Sequence, residues 1–322
     1  MNKTNNIEAP LVSIRCITYN HEKYIRDALE GFIMQKTNFK FEAIVHDDAS
    51  TDNTAAIIQE YAEKYPDIIK PIFETENQYS KHDGSIARIV NAACKGKYIA
   101  FCEGDDYWTD PYKLQKQVDF MESNPECTLS CHACKNIFED FTSNIRFGES
   151  VHETYTPISL MENYFQTATI LIRKEILFSD LYNKAIKTGC LSGDLMLYLT
   201  ASKLGSIKGI NTQMSVYRRH KSGLSSSMEN AKMLYYNYKT WIKVGNLFGG
   251  EIKTWLEHKR LKSYIFNSFK QRKFPSFFKM IYYGVINKSP SVIYGINNIM
   301  QYYYHRIMQI ICFPKRKNNN EN

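Results

Sequence analysis

Several features that identify common protein classes are missing from this chain of 322 residues. Its first residues, MNKTNNIEAPLVSIRC, contain no apolar stretch before a small-residue cleavage site, so we expect no signal peptide. No window of about 18 apolar residues is free of charge, so we expect no membrane-spanning helix. Internal repeats and long low-complexity tracts are absent as well. The composition, 43% hydrophobic and 23% charged, is that of a globular protein with room for two domains.

Two glycine-rich phosphate-binding loops are missing too. Neither GxxxxGK followed by Ser or Thr, nor GxGxxG, comes after the first predicted strand. No nucleic-acid-binding motif is recognisable, so we expect no nucleic-acid partner. If a nucleotide binds here, a divalent cation held by carboxylates is the expected partner of its phosphates, because Mg²⁺ and Mn²⁺ prefer oxygen ligands.

The eight cysteines are scattered along the chain. Without a secretion signal, reduced thiols in a cytoplasm are the simpler expectation. One cluster, CTLSCHAC at residues 127–134, combines three cysteines with His132, and these residue types ligate zinc. No second CxxC or HxxxH completes a structural zinc site. The segment therefore predicts a buried strand, with a metal site as the alternative.

The net charge of +8 is unevenly distributed. From Glu251 to Asn322 there are 13 Lys and Arg against 3 Asp and Glu, whereas the rest of the chain has 28 basic and 30 acidic residues. A basic tail on a near-neutral domain predicts an anionic partner for the tail alone. Because the tail is also rich in aromatics, we expect either helices at an anionic membrane surface or helices packed with their aromatics inward.

Strand and helix patterns alternate through the first half of the chain. Apolar, β-branched runs predict strands at LVSIRCITY, FEAIVHD, IIKPIF and KYIAFC, and segments with helical apolar spacing separate them. This order predicts a doubly wound, mostly parallel sheet covered by helices, with ligands beyond the carboxyl ends of the strands. The polar segment KSGLSSSMEN, residues 221–230, predicts the boundary between a domain at 1–225 and a basic helical region at 226–322.

Acidic residues are concentrated at the expected end of the fourth strand. The stretch FCEGDDYWTD contains Glu103, Asp105, Asp106 and Asp110. A solvated turn with Asp110 capping the next helix accounts for Asp110, but three acids directly after a buried strand are costly without a partner. Mg²⁺ or Mn²⁺ commonly binds one or two carboxylates together with substrate phosphates. The stretch therefore predicts half of a metal–diphosphate site.

The order of the motifs resembles that of the family-2 glycosyltransferases, which have the GT-A fold, over about residues 11–225. The segments that carry the resemblance are VSIRCITYNHEKYIRDALEGFIMQ, FEAIVHDDASTDNT, GKYIAFCEGDDYWTDPYKLQKQVDF and SGDLMLYL. Four motifs in sequence order are far more specific than one. The resemblance implies a Rossmann-like sheet flanked by helices, and it does not cover the C-terminal helical extension.

The resemblance also implies roles for individual residues. The TYN segment and the second Asp after strand two would contact the nucleoside. In EGDD, Asp106 would bind the metal and Asp105 would lie near both the ribose and the metal, while Glu103 stands where many members have Asp. The nucleoside-contacting residues are Thr18, Tyr19, Asn20 and Asp48.

Two later motifs complete the implied site. SGD resembles the catalytic-base motif, and since Gly193 replaces the first acid of the usual pair, Asp194 is the only candidate base. A helix N-cap is the alternative role for Asp194, and the two roles are compatible. VYRRH resembles the end of the catalytic domain, where His220 would join the metal or diphosphate and Arg218 would contact the diphosphate. Solvated surface side chains are the alternative for this motif.

The implied enzyme is an inverting, metal-dependent glycosyltransferase of the hexosyltransferase type. It would move a sugar from a nucleotide-diphospho-sugar, commonly a UDP-sugar, to a hydroxyl of a glycan or lipid-linked glycan, with Mn²⁺ or Mg²⁺ as cofactor. The expected setting is surface polysaccharide synthesis (capsule, O-antigen or exopolysaccharide) in the cytoplasm or at the inner face of the cell membrane.

Two alternatives stay open. A metal-dependent nucleotidyltransferase usually has a glycine-rich basic signature where this chain has TYNHEKYIRDA. A non-catalytic family member that binds a sugar nucleotide would be expected to lose the base or the metal-binding acids, and this chain has both.

Overall fold

The computed structural model of the chain describes residues 9–81, 84–139, 148–162, 165–220 and 231–312. The chain divides into two compact units, one formed by residues 1–186 and 192–227 and the other by residues 187–191 and 228–322. The segment 221–230, predicted as the boundary, lies outside the described residues. The assignment of catalysis to the first unit and of a basic extension to the second stays a prediction.

Four parallel strands form the first half of the central sheet, in the order β3-β2-β1-β4. Most apolar side chains of β1, β2 and β4 are buried, whereas Phe73 at the end of the edge strand β3 is exposed. The four predicted strands are confirmed to within about one residue at each end. The strands are β1 (Val12–Thr18), β2 (Phe41–Asp47), β3 (Ile69–Phe73) and β4 (Tyr98–Phe101).

Helices connect these strands and cover the sheet. In the first helix, Ile25, Leu29 and Phe32 recur at helical spacing and are completely buried, while the charged positions between them face solvent. The ring of Phe32 packs edge-on against Trp108 with centroids 5.2 Å apart. The helices are α1 (Ile25–Ile33), α2 (Thr54–Lys64), α3 (Ser85–Ala93) and α4 (Lys113–Ser123).

The second half of the sheet is mixed. β8 lies between β4 and β6 and runs antiparallel to both, β6 and β9 are parallel, and β5 and β7 each pair antiparallel with β9. The prediction that CTLSCHACKNIF forms a buried strand is confirmed in β6. The strands are β5 (Tyr107–Trp108), β6 (Cys127–Phe138), β7 (Thr154–Tyr155), β8 (Leu171–Arg173) and β9 (Ser206–Arg219).

The pairing of β5 with β9 positions two sequence-distant segments for the site. Tyr107 lies opposite Val216 and Trp108 opposite Ser215, so the end of β9 runs beside the acidic turn that precedes β5. Four helices accompany this half: α5 (Pro157–Glu162), α6 (Glu175–Phe178), α7 (Asp180–Ile186) and α8 (Gly193–Leu204).

The second unit is helical. Inside it, the buried carboxylate of Glu257 accepts hydrogen bonds from the hydroxyl of Ser289, at 2.5 Å, and from the backbone amide of Ser291, at 2.8 Å, which fixes the start of the last helix. No helix in the described part of the chain is long and apolar enough to cross a bilayer. The elements are α9 (Ala231–Phe248), α10 (Gly250–Trp255), a π-helical segment (Leu256–Leu261), α11 (Lys262–Lys270), α12 (Phe274–Ile286) and α13 (Ser291–Cys312).

Candidate active site

The loops that follow β1 and β2 are tied to each other by hydrogen bonds. The backbone amide of Asn20 donates to the hydroxyl of Ser50 at 2.9 Å, and the side-chain oxygen of Asn20 accepts from the amide of Thr51 at 2.8 Å. Asn20 adopts a left-handed conformation, with φ of 55°, which asparagine tolerates better than most residues. The amide of His21 donates to the hydroxyl of Thr54 at 2.8 Å. The predicted nucleoside-contacting loops therefore form one rigid edge.

The acidic turn after β4 packs directly on the loop after β1. The amide of Gly104 donates to the carbonyl of Ile17 at 3.0 Å. A Cβ atom added at Gly104 would lie 2.5 Å from Oγ1 of Thr18 and 3.1 Å from Nδ1 of His21. Only a glycine allows this approach without displacing its neighbours. The turn thereby places Asp105 beside the TYNH segment.

Three side chains converge at this point to form what we call the His–Asp–His group: His21, Asp105 and His220. One ligand atom from each lies within 4.8 Å of the others. Oδ2 of Asp105 is 3.2 Å from Nε2 of His220 and 3.9 Å from Nε2 of His21. The Asp105 side chain keeps 21% of its surface exposed, whereas that of His220 keeps 3%. One carboxylate oxygen therefore faces two imidazoles at an accessible edge of the sheet.

The electrostatics of the His–Asp–His group suit a cation. Burial raises the pKa of Asp105, but the hydrogen bond from His220 and the charge of His21 outweigh it, so the pKa lies below its usual range. Burial lowers the pKa of His21. Metals bind the ionised form of a carboxylate and imidazole nitrogens that carry no proton. Within the described part of the chain, Oγ1 of Thr18 and Nδ1 of His21 are buried without a hydrogen-bond partner. A divalent cation fits this donor set.

The other two acids of the turn have different surroundings. Oδ1 of Asp106 accepts a hydrogen bond from the backbone amide of Arg218 at 2.9 Å, and burial followed by the charges of Asp105 and Glu103 raises its pKa well above the usual value. Glu103 accepts a hydrogen bond from the hydroxyl of Thr167 at 2.6 Å, and burial raises its pKa. Asp106 lies outside the His–Asp–His group, and its role as a metal ligand stays a prediction.

The side chain of Arg218 makes its contacts with other residues of this chain. Its guanidinium lies over the rings of Tyr107, 4.4 Å from the centroid, and Tyr24, 5.2 Å away. It donates to the carbonyl of Asp105 at 3.2 Å and to the carboxylate of Asp27, and its side chain is 9% exposed. These contacts join the acidic turn to the end of β9. The predicted contact of Arg218 with a diphosphate stays a prediction.

The carboxylate of Asp48 also forms hydrogen bonds within the chain. Its two carboxylate oxygens accept hydrogen bonds from the backbone amides of Gln78, at 2.7 Å, and Tyr79, at 3.0 Å. Asp48 thereby holds the loop after β3 against the end of β2. Thr18 is buried at the end of β1 and Tyr19 beside it is exposed. The contacts of these residues with a nucleoside stay predictions.

Asp194 occupies the first turn of α8. Its Oδ1 accepts a hydrogen bond from the amide of Leu195 at 2.8 Å, and burial raises its pKa. Ser192 occupies the N-cap position, so the alternative role of Asp194 as N-cap is wrong. A carboxylate with a raised pKa is better suited to accept a proton near neutral pH. Among the described residues, apart from its chain neighbours, no atom lies within 4 Å of a Cβ built at Gly193, where the family's other acid would stand.

His21 is a candidate functional residue that the resemblance to the family did not indicate. It follows the TYN segment directly, at the carboxyl end of the strand that neighbours β4. In a parallel sheet that position is adjacent to the acidic turn, so strand order alone could have identified it. The ring of Tyr24, one helical turn further on, packs against His220 with centroids 4.9 Å apart.

The comparisons with known proteins concern the family and the fold. Residues 13–193 match the model of the family described as Glycosyl transferase family 2. The chain belongs to glycosyltransferase family 2. An uncharacterized protein of Mycobacterium tuberculosis is 38% identical to this glycosyltransferase over 215 residues, which are 66% of this chain and 60% of that protein. The chain thus spans about three fifths of that relative's length.

Two further proteins are similar over most of this glycosyltransferase. TuaG of Bacillus subtilis, named for a glycosyltransferase of teichuronic acid biosynthesis, is 28% identical over 235 residues, covering 71% of this chain and 88% of TuaG. The crystal structure of S. aureus TarS 1–349 in complex with UDP-GlcNAc has a TM-score of 0.59 at 18% identity, covering 84% of this chain and 79% of that one. This likeness, with the helix-flanked sheet, confirms the predicted GT-A fold.

Proposed function

We propose that this glycosyltransferase moves a sugar from a nucleotide-diphospho-sugar to an acceptor hydroxyl with inversion at the anomeric carbon. The observation that carries the proposal is the His–Asp–His group at the carboxyl ends of β1 and β4, where sheets of this kind bind their ligands. A UDP-sugar is the proposed donor, which the UDP-GlcNAc complex of the similar TarS supports. Family membership favours glycosyl transfer over the nucleotidyl transfer considered from the sequence.

Asp105, His21 and His220 would hold the divalent cation. When bound, the cation would neutralise negative charge that develops on the leaving nucleoside diphosphate. We propose Mn²⁺ rather than Mg²⁺, because Mn²⁺ accepts imidazole ligands beside a carboxylate more readily than Mg²⁺, which prefers an oxygen shell with several waters. Asp105 would be the ligand of highest charge, held ionised by its two histidine neighbours.

Asp194 would act as general base and take the proton of the acceptor hydroxyl. Because one displacement at the anomeric carbon inverts its configuration, no covalent enzyme nucleophile is required. The raised pKa of Asp194 supports this role. The proposed acceptor is a glycan, carried by a lipid, in the synthesis of a surface polysaccharide, which the naming of TuaG for teichuronic acid biosynthesis supports.

The metal proposal is tested with Asp105→Asn. Because a neutral amide replaces the carboxylate of the His–Asp–His group, the variant should no longer bind Mn²⁺ in calorimetry. It should also no longer release nucleotide from UDP-sugars. Asp110→Asn is a matched control, since this acid of the same stretch accepts a hydrogen bond from the amide of Tyr112, which is the N-cap of α4, and pairs with Lys116. Full nucleotide release in excess EDTA, or equal losses in both variants, would show that the proposal is wrong.

The base proposal is tested with Asp194→Asn. Transfer to acceptor should fall by roughly two to four orders of magnitude, the usual worth of a general base, while UDP binding is unchanged. Asp180→Asn, at the first turn of α7, is the matched control. Unchanged transfer with a lower melting temperature would leave Asp194 with a structural role only. A chain that binds donor but never transfers, with every acceptor tried, would instead match the non-catalytic alternative.

A further inference from the structure

The second unit exposes an apolar surface on its last two helices, which we call the α12–α13 face. On α12, Phe278 and Tyr282 have 64% and 70% of their surface exposed, and on α13 Met300 has 65%. The opposite side of α12 is buried at Met280 and Gly284. The exposed members of the face are Phe274, Phe278, Tyr282, Val285, Ile286, Ile293, Ile296, Met300, Tyr303 and Tyr304.

Helical spacing places these residues on one side of each helix. On α12, intervals of four, four and three residues connect Phe274, Phe278, Tyr282 and Val285, and Ile286 is adjacent to the last. On α13, intervals of three, four and four connect Ile293, Ile296, Met300 and Tyr304, and Tyr303 is adjacent to the last, so each helix has one apolar stripe. An aromatic cluster joins the two stripes. The ring of Phe269 lies 5.9 Å from Phe274 on α12 and 6.1 Å from Tyr303 on α13. The two stripes of the α12–α13 face therefore meet at Phe269.

The charge around this face has a single sign. Between Glu257 and Glu321 the sequence contains no Asp or Glu. Lys270, Arg272 and Lys273 stand between the end of α11 and the start of α12, and Lys279 is beside Phe278. The ammonium of Lys270 lies 5.7 Å from the ring centroid of Tyr302. An occupant of the face must therefore present apolar groups and negative charge together.

We propose that the α12–α13 face docks on the headgroup region of an anionic phospholipid bilayer. Helices with an apolar stripe bordered by Lys, Arg and amphipathic aromatics lie in the interfacial plane, with the stripe among the upper acyl chains. Basic residues near such a surface are attracted by its negative potential. The absence of Asp and Glu between Glu257 and Glu321 in the sequence, together with the basic residues beside the stripes, gives the charge complementarity that selects this occupant. The proposal goes beyond the proposed function and does not depend on the donor or base assignments.

The experiment measures flotation of the full chain with phosphatidylcholine vesicles, with and without phosphatidylglycerol, at low and high salt. Wild-type protein should float with the anionic vesicles at low salt and be released by high salt, because salt screens the attraction. Phe278→Glu and Met300→Glu, made separately, should each weaken binding by about tenfold or more, since each places a carboxylate in the apolar stripe. Phe178→Glu, at an exposed phenylalanine of α6, is the matched control and should bind normally.

A second pair of variants isolates the charge. Lys270→Gln with Lys279→Gln should weaken binding to anionic vesicles, whereas Lys64→Gln with Lys70→Gln, exposed on α2 and β3, should not. Donor hydrolysis and circular dichroism check that every variant is folded. The proposal would be overturned if the wild-type protein bound neutral vesicles as well as anionic ones, or bound neither. It would also be overturned if Phe178→Glu weakened binding as much as Phe278→Glu and Met300→Glu. Sedimentation of the free chain as a dimer that Phe278→Glu dissociates would overturn it too, because a second copy would then cover the face.

Discussion

At the scale of single residues, Lys113 has the most unusual surroundings. It lies in the first turn of α4 with its side chain completely buried, and its Nζ has no hydrogen-bond partner among the described residues. The ring of Trp108, with its centroid 3.8 Å from Nζ, favours the ammonium form. Desolvation opposes this and is larger, because it lowers the pKa of Lys113 to about 7. Lys113 therefore gives up its proton near neutral pH within the fold.

This pKa predicts how stability depends on pH. Between pH 7 and pH 10 the unfolded chain keeps a proton on Lys113 that the folded protein has lost, so stability should rise with pH. One proton corresponds to a slope of up to about 1.4 kcal/mol per pH unit. Lys113→Met should remove this slope, which urea denaturation at several pH values would measure as the difference from wild type. Lys116→Met, on the exposed side of α4, should leave the slope of stability against pH unchanged. Equal slopes for the wild type and both variants would contradict the prediction.

At the scale of elements, the candidate site depends on how closely the turn after β4 approaches the loop after β1. Gly104 allows this approach because it has no side chain, so that Thr18 and His21 can pack against its backbone. Asp106 and Arg218 join the same turn to the end of β9. Two segments from distant parts of the chain, the loop after β1 and the end of β9, thus hold the turn that contains Asp105 in place.

Gly104→Ala tests this approach. The added methyl would meet Oγ1 of Thr18 at 2.5 Å, so the turn must move, and we expect a loss of about 1 to 3 kcal/mol in the free energy of unfolding. Mn²⁺ affinity should fall as well, because Asp105 moves with the turn. Gly193→Ala is the matched control, since no other part of the described chain comes within 4 Å of the new methyl. Equal stability and Mn²⁺ affinity in the two variants would show that the close approach is unimportant.

At the scale of the whole molecule, the chain has two units with separate cores. The first is centred on the sheet, and the second on contacts among its helices, such as the buried hydrogen bond between the hydroxyls of Tyr238 and Ser291 at 2.8 Å. Gly284 on α12 is equally central to the second unit. A Cβ added there would lie 2.4 Å from the hydroxyl oxygen of Tyr238 and 2.5 Å from Cγ2 of Val292.

Gly284→Val should therefore destabilise the second unit selectively. We expect faster amide hydrogen exchange across residues 231–312, while β1, β2 and β4 keep their protection, because the substitution disrupts only the helical core. Val285→Ala, at the exposed neighbouring position, should leave the exchange of both units unchanged. Faster exchange throughout the chain in Gly284→Val would show that the two units unfold together.

The sequence by itself determined the local elements and the motif order. Apolar period and β-branched runs are properties of short segments, and β1 to β4, α2, β6 and α8 appear where these patterns predict them. The placement of acids at strand ends follows from the same reasoning, whereas family membership was indicated by the resemblance of the motifs and is shown by the family match. The short strands β5 and β7, two residues each, have no period to detect.

Only the tertiary structure decided which side chains meet. Asp105 and His220 are 115 positions apart, and their contact depends on the pairing of β5 with β9, which no local pattern encodes. The same pairing turns Asp106 toward the amide of Arg218 and leaves Asp105 with two histidines. The sequence also did not decide whether the α12–α13 face is exposed. Helical spacing shows that one side of a helix is apolar, but it does not show whether another element covers that side. Burial is a property of the packed molecule, because each side chain's neighbours come from other parts of the chain.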